Sequence, residues 1–397
     1  MTDIARGLRR VQDAPVEGKS VLVRVDYNVP LRAGTVADDS RITASLPTLH
    51  HLMERGAKLV LMSHLGDPEG KVVPELRLDP VADRLRDLLR RPVEKLTDCV
   101  GEAVSKAVGK GKPSDVFLLE NVRFHPGESA NDADFARSLA RLGELYVNDA
   151  FAALHRAHAS TEGVTRFLPS YAGMLIQKEI EALSRLTDRP ERPYVAIVGG
   201  KKAESKLGAL RDLLGRVDAI LIGGGVAFTF LHATGHEVGA SVVDESIVEE
   251  IRDVVRLAGE KKVRIVLPCD VVAARAVSAS AETATVSVDG IPAGWIGLDI
   301  GPKTVELFRR EIARARTVVW TGPMGAFELE PFSQGTRAVA SALAHARAFT
   351  VVGGGETGEA VVQMGEEHGI SYISTGGGAC LALLRGKSLP ALEALRG

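Results

Sequence analysis

Ten short apolar, β-branched runs recur along the chain, and longer amphipathic segments separate them. The first half holds VLVRVD (21–26), KLVLMSH (58–64), VFLLEN (116–121) and ELYVND (144–149). The second holds YVAIVGG (194–200), AILIGGG (219–225), RIVLPCD (264–270), TVVWTGP (317–323), FTVVGGG (349–355) and ISYISTGGG (370–378). Continuous apolar runs alternating with helix-compatible segments predict parallel sheets flanked by crossover helices. After Lys206, the residues Leu207, Leu210, Leu214 and Val217 recur at the three- and four-residue steps of an amphipathic helix. With 397 residues the chain exceeds a single core, so the expected fold class is α/β, with two doubly wound parallel-sheet, Rossmann-like domains. The segment from about 166 to 193 is helix-compatible at its centre and closed by Pro190 and Pro193, which predicts a helical hinge between them.

Open α/β sheets bind ligands at the carboxyl ends of their strands. In the first half these ends carry ionisable side chains: Asp26 and Asn28, His64, Asn121 and Arg123, Asn148 and Asp149, then His155, Arg156 and His158. Arg41 lies in DDSRI. Such groups suit a small, highly charged anion. The second half ends its strands in glycines, whose bare backbone suits a larger ligand with phosphates. Within GGKKAESK (199–206), Lys202 and Lys206 stand four apart just after a glycine turn, placed to neutralise nucleotide phosphates. Taken singly, each lysine or arginine also reads as a solvated or structural charge, and each glycine cluster as a tight turn.

VVGGGETGEA (351–360) satisfies the dinucleotide spacing G-x-G-x-x-G, but Glu356 would repel a bare diphosphate unless a divalent cation intervenes. No acid follows about twenty residues on, where a ribose would be held. Gly386-Lys387-Ser388 lacks the upstream glycine of a Walker A loop, since position 381 is Leu. There is no G-x-S-x-G, and Cys99, Cys269 and Cys380 form no C-x-x-C pair, so neither a disulfide framework nor a zinc site is indicated. A net charge of −2 gives no global field for nucleic acid or membrane, MTDIARGLRR lacks an apolar core of signal-peptide length, and no apolar run approaches the ~18 residues of a membrane span. The expected setting is the cytoplasm, with small-molecule ligands, no nucleic acid or membrane partner, and a monomeric state.

Read in order, VRVDYNVPL (23–31), DDSRI (38–42), SHLG (63–66), ENVRFHPGE (120–128), VNDAF and HRAHAS (147–160), GGKKAESK, GGGVAFTF (223–230), GLDIGPKT (297–304), GPMGAFE (322–328), GGGET (353–357) and STGGGA (374–379) closely resemble the phosphoglycerate kinase family. The likeness spans essentially the whole chain. It implies an N-terminal domain, 1–172, that binds 3-phosphoglycerate, an interdomain helix, 173–189, and a nucleotide-binding domain, 190–379. Residues 380–397 are expected to pack back onto the N-terminal domain. By position, Asp26, Asn28, Arg41, His64, Arg123 and Arg156 hold the acid. Lys202, Lys206, Gly297, Glu328, Gly354, Gly355, Glu356 and Thr357 hold ATP or ADP, with Glu356 facing Mg²⁺ through the phosphates. Arg41, Lys202 and Lys206 are the catalytic cations, because in-line phosphoryl transfer needs positioning and charge neutralisation rather than a covalent intermediate.

This chain departs from the family's usual pattern at four positions. Asp67 replaces Arg, Thr321 replaces Asn, Glu356 replaces Asp, and Lys201 replaces a small residue. Asp67 opposes the expected phosphate, which leaves open a diverged kinase acting on another small carboxylate. A catalytically silent nucleotide-binding regulator is the alternative outside enzymes, and the presence of Arg41, Lys202 and Lys206 speaks against it.

Overall fold

Val21, Leu22 and Val23 are consecutive in the first strand, β1 (Ser20–Arg24), yet all three are fully buried. Burial of neighbours that point to opposite faces requires cover on both sides of the sheet, which crossover helices provide. The computed structural model describes residues 5–396. It contains two α/β units, one formed by 5–184 with 388–396 and the other by 185–387. Residues 1–4 and 397 of the expected domains lie outside the described residues.

The first unit is built on β1, β2 (Lys58–Met62), β3 (Glu94–Lys95), β4 (Val116–Leu118), β5 (Leu145–Asn148) and β6 (Ser170–Ala172). They pair in parallel in the order β3-β4-β2-β1-β5-β6. From β1 the chain moves outward through β2 before β5 returns to the opposite edge of β1. The order therefore reverses at β1/β5, and a crevice opens beyond the strand ends there.

In the second unit, β7 (Tyr194–Val198), β8 (Ala219–Ile222) and β9 (Arg264–Val266) precede β10 (Asp270–Ala274), β11 (Thr283–Ser287) and β12 (Ile296–Ile300). Strands β13 (Thr317–Thr321), β14 (Phe349–Gly353) and β15 (Tyr372–Ser374) complete it. The main sheet is parallel, in the order β9-β8-β7-β13-β14-β15, and its reversal falls at β7/β13. The run RIVLPCD, read as one strand, is in fact divided: β9 joins the main sheet, whereas β10 opens a separate antiparallel sheet, β11-β10-β12. Pro268 lies at the break, where it cannot donate to a ladder.

The helix Met174–Thr187 carries the chain from one unit to the other, the division falling after Ser184. The segment that rejoins the first unit begins at Ser388 rather than 380, because the helix Gly377–Leu384 packs beside Glu204–Leu213 of the second. Leu389, Ala391, Leu392 and Leu395 are almost fully buried, and Arg9 N–H donates to Leu395 O at 3.3 Å. No helix among the described residues is long and apolar enough to cross a membrane.

Candidate active site

Asp26 stands two residues beyond β1, 7% exposed, and pairs with Arg41 at 2.5 Å. Arg41 is held there by the first turn of the helix Ser40–Glu54. Asn28 accepts the Gly66 N–H at 2.8 Å, tying the loop after β2 to the loop after β1. Arg123, in the short turn Val122–Phe124 after β4, donates to Gly66 O at 2.7 Å, while its buried Nε has no hydrogen-bond partner. Asp26, Asn28, Arg41, His64 and Arg123 are thus joined through the loops beyond β1, β2 and β4. Arg156 is exposed and donates to His155 Nε2 at 3.2 Å.

Arg24 was not singled out from the sequence, yet it organises this cluster. It is 1% exposed, with Nε donating to Ser160 Oγ at 2.8 Å and Nη2 donating to His64 Nδ1 at 3.1 Å. Ser160 Oγ donates in turn to the buried Glu128 carboxylate at 2.6 Å. The available signal was a lone cation inside VLVRVD, because an arginine on a strand covered on both faces demands partners.

Burial and the charge of Arg24, then of Arg123, Arg41 and Arg156, hold His64 well below the usual imidazole range. Its Nδ1 accepts from Arg24, so the neutral ring carries its proton on Nε2 as a hydrogen-bond donor. The 3.9 Å approach of Nδ1 to Asp26 is therefore not an ion pair. His158 is pushed down to about 4 by burial and by Arg123 and Arg156. Burial lowers the pKa of Arg123, and Arg156 lowers it further, the guanidinium remaining charged. Guanidiniums that repel one another, with a buried N–H left unmatched, make a receptor for an anion.

Asp67 departs from the expected arrangement. Arg77, ten residues further along the chain, pairs with Glu120 at 2.8 Å rather than with Asp67. The cation nearest to Asp67 is Arg123 at 3.6 Å, and the Asp67 side chain is 73% exposed.

In the second unit, backbone takes over from side chains. Gly322 follows β13 with φ +84°, and a β-carbon there would lie 2.2 Å from Gly199 O. Only glycine fits both constraints. Trp320 Nε1 donates to Gly322 O and Gly322 N–H donates to Thr357 Oγ1, both at 2.8 Å, which locks this turn against the turn after β14. Gly354, at φ +111°, begins the helix Gly355–Gln363 without a side-chain cap; Gly223 begins Gly224–Ala233 also without one, but there the Gly224 and Val226 N–H groups already donate to Met324 O and Gly200 O. Uncapped N–H groups at helix starts are available to phosphate oxygens.

Lys206, in the first turn of Glu204–Leu213, donates to Thr321 Oγ1 at 3.5 Å and makes no ion pair among the described residues. Burial lowers its pKa, and the charge of Glu356 offsets part of that. Thr321, where the family amide was missed, therefore still presents a polar atom to Lys206. Lys202, Gly355 and Glu356 are exposed, and Thr357 is buried. Gly297 lies within β12, where a β-carbon would meet the Phe228 ring at 2.1 Å. Glu328 is exposed in the loop after Gly322, and that loop is fastened beside Gly297 by the bond from Ala326 N–H to Leu298 O at 2.9 Å.

The sequence model of the family described as Phosphoglycerate kinase matches residues 11–387. The chain belongs to the phosphoglycerate kinase family. A phosphoglycerate kinase of Moorella thermoacetica is 52% identical over 385 residues, covering 97% of this chain and 98% of the relative. One from Pelotomaculum thermopropionicum is 50% identical over 387 residues, covering 98% of each. Among solved structures, phosphoglycerate kinase from Coxiella burnetii matches with a TM-score of 0.84 at 38% identity, and that from Pyrococcus horikoshii with 0.87 at 33%. Each match covers 98% of both chains. The two-unit α/β architecture described above is thus that of phosphoglycerate kinases.

Proposed function

We propose that this chain transfers a phosphoryl group reversibly, with Mg²⁺, between 1,3-bisphosphoglycerate with ADP and 3-phosphoglycerate with ATP, as a kinase of glycolysis. The arginine and histidine cluster of the first unit holds the acid. Arg123 and Arg156 meet its phosphate, His64 donates from Nε2, Asp26 and Asn28 hold the acid and tie its loops together, and Arg41 stabilises the transferring phosphoryl group. The glycine turns of the second unit hold the nucleotide, with Lys202 and Lys206 against its phosphates. Gly297 and Glu328, on adjoining segments, border the same nucleotide. Preorganised cations and N–H groups aimed at a phosphoryl group are what such a transfer needs from its enzyme.

The observation that carries this reading is the buried, unmatched Arg123 Nε inside a group of guanidiniums that repel each other. Relatives of half-identical sequence bearing the same name favour 3-phosphoglycerate over another carboxylate. Three cysteines that form no disulfide support a reducing cytoplasmic setting, and the presence of both ligand sites in one chain supports action as a monomer.

Magnesium enters such a reaction with the nucleotide, and the residues fit it. Glu356 offers hard carboxylate oxygens beside uncapped N–H groups, an arrangement that accommodates a phosphate only with a cation present. Bound Mg²⁺ supplies charge neutralisation on the phosphate oxygens. The test is calorimetric titration of ADP with and without Mg²⁺, on wild type and Glu356→Ala, beside a coupled assay with ATP and 3-phosphoglycerate. Binding is expected to strengthen with Mg²⁺ in wild type and to lose most of that gain in the variant. Equal affinity in all four titrations removes the metal assignment, and absence of turnover removes the kinase reading.

A further inference from the structure

Away from the acid-binding cluster, the first unit brings together a carboxylate, a thiol and an imidazole. Oxygen, sulfur and nitrogen atoms of Asp98, Cys99 and His125 all lie within 4.8 Å of one another. We propose that Asp98, Cys99 and His125 form a binding site for a thiophilic divalent cation of the zinc class. No pair spacing announced it in the sequence, because the ligands come from two segments, one before and one after β4.

The three groups are already oriented. Asp98 Oδ1 is 2.6 Å from His125 Nε2 and also accepts the Cys99 N–H at 2.6 Å. The His125 ring stacks on Phe135, with centroids 4.9 Å apart and planes 25° from parallel. Cys99, fully buried, donates its S–H to Glu120 O at 2.9 Å, which fixes the direction of the sulfur. Approach is open from the other side, where the Asp98 and His125 side chains are 51% and 30% exposed. The bland reading is a histidine–aspartate pair above a core thiol. That reading accounts for each contact singly, but not for soft sulfur, imidazole and carboxylate converging on one point.

Sulfur with nitrogen and one oxygen is a donor set for Zn²⁺, Co²⁺ or Cd²⁺, whereas Mg²⁺ prefers oxygen and water. On binding, the metal–sulfur bond replaces the Cys99 S–H bond and that proton passes to solvent, while the His125 Nε2 proton moves to Nδ1 so that Nε2 can bind the ion; no electron is transferred. The ion takes over the place between Asp98 and His125 now filled by their hydrogen bond.

The probe is Co²⁺ titrated into the full chain, read by the near-ultraviolet thiolate-to-cobalt charge-transfer band and by visible tetrahedral bands. One equivalent is expected to raise both, Zn²⁺ to bleach them, and excess Mg²⁺ to leave them unchanged. Cys99→Ser should abolish the charge-transfer band, while Cys269→Ser and Cys380→Ser keep it. His125→Gln and Asp98→Asn, which retain the thiol, should each weaken Co²⁺ binding by at least ~10-fold, since even indirect partners of ligands contribute that much. These two variants decide the matter should Cys99→Ser fail to fold. Absence of the band in wild type, its survival in folded Cys99→Ser, or unchanged affinity in both thiol-retaining variants would each overturn the site.

Discussion

Neutralising Asp67 offers the sharpest test of how the acid is held. Its carboxylate lies 3.6 Å from Arg123 Nη1 and its side chain is 73% exposed. At that distance one charge pair is worth about 1 kcal/mol in water and about 5 kcal/mol at an effective dielectric of 20. Exposure puts Asp67 at the low end. Asp67 both competes for Arg123 and repels an incoming phosphate, so Asp67→Asn should gain about 1 kcal/mol of acid binding, roughly a fivefold lower KM for 3-phosphoglycerate. Asp67→Arg reverses the charge and should roughly double that free energy. Phosphate anchoring acts equally on ground and transition states, so kcat should barely change. Initial rates across 3-phosphoglycerate concentrations, at low and high ionic strength, measure this. The advantage of both variants should shrink with salt as screening grows. An unchanged or higher KM for Asp67→Asn at low salt refutes the electrostatic reasoning. A salt-independent gain would assign the effect to loop packing instead.

Arg41→Ala is expected to lose several orders of magnitude in turnover and also to raise the KM for the acid. Asp26, 7% exposed, is left without its partner at the mouth of an anion site, so near-normal kinetics would make Arg41 merely structural. His64 and His158 are held neutral in the fold, His158 down to about 4, whereas unfolded histidine titrates near ~6.5. The unfolded chain therefore binds more protons between those values, and stability should fall as pH drops through that window. Urea unfolding of wild type and His158→Gln across the window checks this, the variant showing the shallower loss; identical slopes exclude His158. Gly322→Ala should lower thermal stability by about 2–4 kcal/mol through its positive φ and the contact with Gly199 O, and calorimetry that finds an unchanged transition contradicts the close-packed turn.

The parallel strands were legible because burial on both faces leaves continuous apolar runs, and such runs survive in a single sequence as they do in β1 and β7. RIVLPCD misled for the same reason. A short apolar run does not say which sheet it joins, and the break at Pro268 is settled by the residues that cover each side. The acid-site side chains were visible as polar residues just beyond strand ends. Arg24 was not, because it sits within a strand and its role depends on Ser160 and His64, which are distant in sequence. Asp67 was visible as an anomaly, but its surroundings were not: Arg77 is close along the chain, yet Glu120 claims it in space.

The return of 388–396 to the first unit has a consequence for the order of synthesis. Residues 185–387 form a contiguous unit that can close as soon as its own strands have emerged. The first unit, although begun earlier, is complete only once Leu389, Ala391, Leu392 and Leu395, all almost fully buried, have been added. Domains usually mature in the direction of translation, whereas here the unit begun first is the last to receive all of its residues. Until then the surface that covers those four side chains lacks them, and transiently exposed apolar surface is what makes a growing polypeptide prone to aggregate.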